Sequence, residues 1–124
     1  TNDLKRGIQG TAIGATSGLK RLVKLIQHHD WGFSFEGPEI LIVSPPAIRE
    51  TADAAFGAMF NRSVDEGAML ASMYSDAADE TGCGFFDAGS VAETTPLDGI
   101  HLDAENTRAI GRGIEPVVRM MLGL

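Results

Sequence analysis

Asp98 and His101 are the residues of this sequence with the clearest capacity for chemistry. They stand three positions apart in the stretch Asp98-Gly99-Ile100-His101. A carboxylate at that distance can hold an imidazole in one tautomer and favour its protonated form. The spacing therefore predicts that His101 acts as a general base and that Asp98 orients it. So short a motif leaves one alternative open, a loop leading into a helix in which both side chains only cap backbone groups.

Two other sets of reactive side chains carry a weaker signal. His28 and His29 are adjacent near the end of a predicted helix, and neighbours on a helix point about 100° apart, so they are poorly placed to share one metal ion. Cys83 lies between a helical pattern and an apolar run, which favours a small buried residue over a nucleophile. The sequence therefore predicts neither a metal site nor a cofactor.

The composition is that of one globular domain. The 124 residues are 44% hydrophobic and carry a formal net charge of -7. A chain so acidic, without a run of Lys or Arg, is not expected to bind nucleic acid or an anionic membrane surface. Its apolar runs are too short to span a bilayer. The single cysteine and the polar, charged residues 1–6 favour a reducing, cytoplasmic location.

Hydrophobic spacing predicts three long helices. The first runs from about Ile13 to His29, the second from Ser63 to about Glu80, and the third follows Asp103, which is placed to cap it. Ser63 and Glu66 form a capping-box pattern. The positions expected to face the core are Leu19, Leu22, Val23 and Ile26 in the first helix, Met69, Met73 and Ala77 in the second, and Ile110, Ile114, Val117, Val118 and Met121 in the third. A short helix and a loop are predicted within residues 47–62.

Two short strands alternate with these helices. Ile40–Val43 is hydrophobic on both faces, as is typical of a central strand in a parallel sheet, and Phe85–Ala88 predicts a second strand. The order helix, strand, helix, strand, helix predicts right-handed crossovers and a parallel sheet covered by helices. Because two strands alone would leave unpaired edges, further strands are expected from another chain or from a removed N-terminal half.

Several short motifs occur in a specific order along the chain. They are Thr1-Asn2-Asp3, Ser44-Pro45-Pro46, Phe86-Asp87-Ala88-Gly89-Ser90 and Asp98-Gly99-Ile100-His101-Leu102. In this order and spacing the sequence resembles the SGNH hydrolases, also called GDSL esterases, and most of all their bacterial arylesterase and acyltransferase branch. Asp98 and His101 match the last block of that family, Asp-x-x-His, and Asn2 and Asp3 match the third block, Gly-x-Asn-Asp, without its leading Gly. The first block, which carries the nucleophilic Ser, and the second, which carries a Gly, have no counterpart.

The resemblance implies an α/β fold, a three-layer α-β-α sandwich with a flavodoxin-like parallel sheet. Residues 1–124 would be the C-terminal portion of a single domain, supplying its C-terminal strands and helices. His101 and Asp98 would form a triad with a serine on an N-terminal fragment, cut off just before Thr1 and bound non-covalently. Asn2 would donate to the oxyanion, and Asp3 would hold its loop by hydrogen bonds. On this view the chain alone is inactive, the substrates are small-molecule esters, and a homo-oligomer is compatible with the sequence.

Apolar side chains bear on which esters would fit. The aromatic residues within 31–38 either pack over the end of the first helix or line a pocket. Phe56, Met59 and Phe60 share one helical face, either as core or as an apolar lip over a substrate. Such a pocket would favour short acyl and aryl esters, as the family branch also implies, with acyl transfer to alcohols where water is excluded.

Two readings from other classes compete with the esterase. An N-terminal Thr1 could act as a nucleophile with its own amine as base, although that class is built on antiparallel sheets. The chain could also be a binding or structural module in which Asp98 and His101 are loop caps. Loss of esterase activity on replacing His101 separates the enzyme from the module.

Overall fold

The computed structural model describes residues 1–33, 35, 37–60 and 63–124. The helices are α1 (Ala12–Gln27), α2 (Ala54–Met59), α3 (Ser63–Thr81) and α4 (Ala104–Met121), the strands are β1 (Leu41–Ser44) and β2 (Gly84–Asp87), and 3-10 turns lie at Asn2–Leu4 and Ala88–Ser90. The predicted alternation of helix and strand is confirmed, as is the short helix within residues 47–62. Among the described residues, no helix combines the length and apolarity needed to cross a membrane.

The two strands form a parallel sheet. Their register runs from Leu41 opposite Gly84 to Ser44 opposite Asp87. Each strand is shifted by one residue from its predicted position, β1 toward the C-terminus and β2 toward the N-terminus. Ser44 extends β1 beyond the apolar run, because its fully buried hydroxyl donates to Asp87 Oδ1 at 2.8 Å. Gly84 N donates to Ile40 O at 2.9 Å, so β2 begins one residue earlier.

Helices cover both faces of this sheet, as the alternation of side chains along the strands requires. Ile42 and Phe85 point toward α1 and α3. On the opposite face, Gly84 lies against Met121, and Phe86 lies against Gly113. A Cβ atom at either glycine would come within 3.0 Å of the facing side chain, so both glycines allow α4 to approach closely. The predicted α/β class with a parallel sheet between helices is confirmed.

The core divides into two clusters. One joins Leu4, Ala12, Ala15, Ile48, Phe60 and Leu70, and the other joins Val23, Ile42 and Ala78. The apolar stripe predicted for α3 was wrong at Met69, which is exposed, whereas the neighbouring Leu70 is buried. Small residues decide this, because Gly67 lets α3 approach the backbone of Ile48 and so turns Leu70 inward.

The predicted capping box is also wrong. Ser63 is the first residue of α3 itself, and its buried hydroxyl donates to Leu4 O at 2.9 Å. The Glu66 carboxylate accepts from Ala12 N at 2.6 Å. Both side chains therefore attach the N-terminal segment to α3. The predicted cap of α4 is confirmed, since Asp103 Oδ1 accepts from Asn106 N at 2.8 Å.

Several predicted core faces are only partly covered by the described residues. Leu22 of α1 is exposed, and none of the five positions predicted to be buried on α4 is fully buried. Val43 of β1 is 37% exposed, because α3 covers the Ile42 face of that strand far better than the opposite face is covered.

The aromatic loop between α1 and β1 packs over the end of α1. Trp31 Nε1 donates to Ile26 O at 3.0 Å, and the Trp31 ring makes edge contacts with His29 and Phe35. Phe33 is fully exposed. This loop precedes β1 and so lies at the amino end of the sheet, and the alternative that it lines a pocket is not supported.

Candidate active site

Two loops meet at the carboxyl end of the sheet, which is where open α/β sheets bind ligands. Residues 45–53 follow β1, and residues 88–103 follow β2. Asp87 Oδ1 accepts from both the Ser44 hydroxyl and Gly89 N, at 2.8 and 2.9 Å. This carboxylate therefore joins the two loops where they leave the strands.

The second loop carries the turn formed by Asp98 and His101. Asp98 Oδ1 accepts from Ile100 N and from His101 N, both at 2.9 Å, and Oδ2 lies 2.6 Å from His101 Nδ1. The carboxylate thus caps the turn and also holds the imidazole. Because an ionised carboxylate only accepts, Nδ1 is assigned the proton and Nε2 is left as an acceptor. The His101 side chain is 66% exposed, so Nε2 is accessible from outside.

These bonds set the charge of Asp98. The His101 side chain, followed by the backbone N–H groups of His101 and Ile100, lowers the pKa of Asp98 from 3.8 to about 2. Asp98 is therefore fully ionised at neutral pH. A fixed negative charge beside Nδ1 stabilises the imidazolium that forms when Nε2 accepts a proton.

The lowered pKa of Asp98 predicts how the stability of the folded chain depends on pH. A carboxyl group with a lowered folded-state pKa contributes stability above its unfolded value, and that contribution is lost as the pH falls from about 4 toward 2. In His101→Ala we expect the pKa of Asp98 to rise toward 3.8 without reaching it, because the two backbone donors remain. A ¹³C NMR titration of the carboxyl carbons measures this. Asp103 is the internal control, since its pKa is lowered by Asn106 and should not move.

Gly99 gives the turn its shape. Its φ of +72° lies in the left-handed region that favours glycine, and a Cβ atom there would overlap the carbonyl oxygen of Arg49. Gly99 N donates to Thr95 O, and Gly99 O accepts from Arg49 N, both at 2.9 Å. Neither Arg49 nor Thr95 stood out in the sequence, because their bonds to the turn are made by main-chain atoms.

Replacement of Gly99 by Ala should displace the turn. The added methyl group meets a backbone atom that cannot rotate away, so Asp98 and His101 must separate from Arg49. We expect activity of the whole protein to fall about 100-fold, which is what a displacement of about 1 Å typically costs. The matched control is Gly18→Ala within α1, where a Cβ atom meets nothing within 4 Å and the helix should gain about 0.5–1 kcal/mol. Wild-type turnover in Gly99→Ala would contradict this role.

The His101 ring has a second neighbour, Phe56 of α2. The two ring centroids are 5.7 Å apart and the planes stand at 88°. Phe56 is half-buried against the first core cluster, and Phe60 belongs to that cluster, but Met59 is exposed. The face predicted for these three residues is therefore divided between core, site wall and surface.

Beside Phe56 lies a small cavity of about 350 Å³. Its walls are partly apolar, from Ile48, Phe56, Phe60, Val64 and Ile100, and partly polar, from Arg49, Glu50, Thr51 and Asp65. His101 does not line this cavity, but Ile100 precedes it in the turn and Phe56 contacts its ring, so the cavity lies close to the imidazole. It can hold a small group near that ring.

The Asn2 segment reaches the same end of the molecule. Leu4, two residues after Asn2, is buried in the cluster against which Ile100 also packs. A second cavity of about 350 Å³ is lined by both Thr1 and Leu102, together with Ser44 and the two prolines that follow β1. The residues adjacent to Asn2 and to His101 thus border one cavity. The Asn2 side chain itself is exposed.

Solved structures similar to this chain were found, whereas no family model and no curated protein matched. A carbohydrate acetylesterase family member from Sinorhizobium meliloti is 66% identical, with a TM-score of 0.95, and the match covers 99% of this chain and 58% of that one. An aryl esterase of M. smegmatis is 31% identical, with a TM-score of 0.87 over 96% of this chain and 56% of its own. The chain is similar over nearly its whole length to these acetylesterase and aryl esterase structures, which supports the resemblance found in the sequence. It spans less than two thirds of their length and fits a C-terminal part of them.

The other candidate groups lie outside the site formed by Asp98 and His101. His28 Nδ1 bonds to Lys24 O, and His29 makes an edge contact with Trp31, both at the amino end of the sheet. Across the described parts of the chain, no three His, Cys, Asp or Glu side chains could hold a metal ion together. The half-buried Cys83 accepts from the Thr81 hydroxyl beside the start of β2. The parallel sheet argues against the fold class proposed for a Thr1 nucleophile.

Asp3 holds its segment differently from the expectation. Its carbonyl oxygen, not its carboxylate, accepts from Gln9 N and Gly10 N at 3.2 and 2.8 Å. Burial of the Tyr74 side chain raises the pKa of Tyr74, and the negative charge of the Asp3 carboxylate raises it further. Asp3 therefore holds its segment by hydrogen bonds, but these come from its main chain and not from its carboxylate.

Proposed function

We propose that this chain carries the proton-transfer and anion-stabilising half of a serine ester hydrolase. The observation that carries the proposal is the 2.6 Å contact between Asp98 Oδ2 and His101 Nδ1, which leaves Nε2 accessible at the carboxyl end of a parallel sheet. Its setting supports the proposal, since the S. meliloti carbohydrate acetylesterase family member is 66% identical. The nucleophilic serine would lie on the part of the domain outside these 124 residues.

The reaction follows from these groups. His101 Nε2 takes the serine hydroxyl proton while the serine oxygen attacks the ester carbonyl, and the Asn2 carboxamide N–H donates to the oxyanion that develops. Asp98 stabilises the imidazolium. The tetrahedral intermediate expels the alcohol, whose oxygen takes the proton from His101, and an acyl-serine remains. Water then attacks this ester and loses a proton to Nε2. The second tetrahedral intermediate releases the acid and expels the serine oxygen, which takes that proton back from Nε2. An alcohol in place of water would give acyl transfer.

The rest of the domain is the partner that this proposal requires. The exposed Val43 on β1 and the half-exposed apolar face of α4 offer it surfaces to cover. The similar structures are longer than this chain, and no Gly-Asp-Ser-Leu-like segment occurs in it. We expect the 13.1 kDa chain alone to be inactive and the whole protein to be active. Intact-mass analysis of the active material shows whether the two parts are one polypeptide or a non-covalent pair.

The small cavity beside His101 points to esters of short acyl groups. Its volume of about 350 Å³ accommodates an acetyl group or a small ring, and the polar side chains among its walls disfavour a long alkyl chain. Carbohydrate acetylesterases and an aryl esterase are among the similar structures, so acetylated sugars and aryl acetates are the substrates to try first.

A graded set of p-nitrophenyl esters tests the function. With the whole protein we expect kcat/KM to be highest for acetate, lower for butyrate and lowest for octanoate. An acetylated sugar should release acetate under the same conditions. Absence of turnover on all of them would contradict the esterase and favour a binding module, and a preference for octanoate would contradict the assignment of the cavity.

A further inference from the structure

The Asp98–His101 turn and two neighbouring segments are bonded to one another. The segments are residues 47–49, residues 93–95 and residues 99–101. Thr95 N donates to His101 O at 2.7 Å, and Thr95 O accepts from Gly99 N at 2.9 Å. Arg49 N donates to Gly99 O at 2.9 Å. The turn is thus held from both sides by main-chain atoms.

Residues 47–49 and residues 93–95 are joined to each other by side chains. The Thr94 hydroxyl donates to Ala47 O at 3.2 Å, and the Thr94 residue is only 2% exposed. Arg49 and Glu93 form an ion pair between the same two segments, but both side chains are well exposed. Exposed ion pairs contribute little to stability, so the buried hydroxyl is the more reliable link.

We propose that Thr94 is a positioning residue for His101. Its hydroxyl fixes residues 47–49 against residues 93–95, and these two segments together fix the place of the imidazole. The proposal rests on the proposed function for its effect on catalysis, but not for its effect on the turn. If this link were lost, the ring would keep its contacts with Phe56 and Asp98, but the segments that hold the turn would lose their buried connection. Small displacements of a proton-transferring group lower turnover strongly, whereas substrate binding depends on other walls.

Thr94→Val and Thr94→Ser in the whole protein form the matched pair. Val keeps the shape and removes the donor, whereas Ser keeps the donor. With p-nitrophenyl acetate we expect Val to lower kcat about tenfold with KM within twofold, and Ser to restore most of kcat. In the same samples, ¹³C NMR should show the Asp98 pKa rising from about 2 in Val but not in Ser.

The two readouts separate the proposals. A rise in the Asp98 pKa in a protein that hydrolyses no ester would support the positioning role and overturn the esterase. Wild-type kcat and an unchanged Asp98 pKa in Val would overturn the positioning role. If Val does not fold, Thr94→Ala, which also removes the donor, replaces it, and kcat should again fall about tenfold. Wild-type kcat together with an unchanged Asp98 pKa in Thr94→Ala would overturn the proposal.

Discussion

Replacement of His101 by Ala in the whole protein should lower kcat/KM for p-nitrophenyl acetate by about 10⁴-fold or more. Without the imidazole, no group at the site can take the serine proton at neutral pH, and members of a triad act as a unit. Asp98 cannot replace it, because even in His101→Ala the two remaining backbone donors keep its pKa below 3.8, which makes it a very weak base. The fold should survive, since the His101 side chain is largely exposed.

His28 and His29 provide matched controls for this experiment. They lie at the amino end of the sheet, where His28 bonds to Lys24 O and His29 contacts Trp31. Alanine at either position removes an imidazole of the same kind without touching the turn, so activity should stay within about twofold. Loss of activity in these variants and not in His101→Ala would place the base elsewhere. Equal activity in all three would favour the loop-cap reading of Asp98 and His101.

Much of the fold follows from local patterns. The apolar run before Ser44 and the run after Cys83 become paired parallel strands because β-branched and aromatic residues fit a buried pleated surface. Periodicity also placed α1 and α4, and Asp103 caps α4 as its position indicates. These features depend on residues that are neighbours in sequence.

The errors arise where distant residues decide. Ser63 and Glu66 have the spacing of a capping box, yet they bond to Leu4 and Ala12, more than fifty positions away. The large apolar Met69 was expected in the core, but the absence of a side chain at Gly67 determines which face of α3 packs against Ile48. Sequence spacing contains no information about such tertiary partners, so local rules misplace them.

The candidate site likewise combines a contact between sequence neighbours with contacts from distant segments. The contact between Asp98 and His101 is local, and the structure has the geometry that the spacing predicts. Phe56 and Thr94 reach the turn from other segments, and Arg49 does so through its main chain. The identities of these residues do not predict these contacts, because the partners are distant in sequence. The Asp98-Gly99 pair is a signal that could have predicted the turn, because Asp-Gly in a short loop often marks a positive φ.

Replacement of Asn2 by Ala tests the other half of the proposed chemistry. The carboxamide would donate to an oxyanion that exists only in the transition state and the intermediate, so its loss should lower kcat about 100- to 1,000-fold with little change in KM. The exposed side chain makes no hydrogen bond that we find in the described residues, and the 3-10 turn is held by main-chain bonds and the buried Leu4. The thermal midpoint should therefore not change.

Asp3→Asn is the control for Asn2→Ala, because it changes the neighbouring exposed side chain without altering its shape. The bonds of Asp3 to Gln9 and Gly10 come from its main chain and remain, so kcat should stay within about threefold of wild type. A loss of kcat in Asn2→Ala that appears with a lowered thermal midpoint would indicate a structural role for Asn2. Full kcat in Asn2→Ala, alongside a large loss in His101→Ala, would mean that the oxyanion finds its donors entirely in the rest of the domain, and would reduce the contribution of this chain to proton transfer alone.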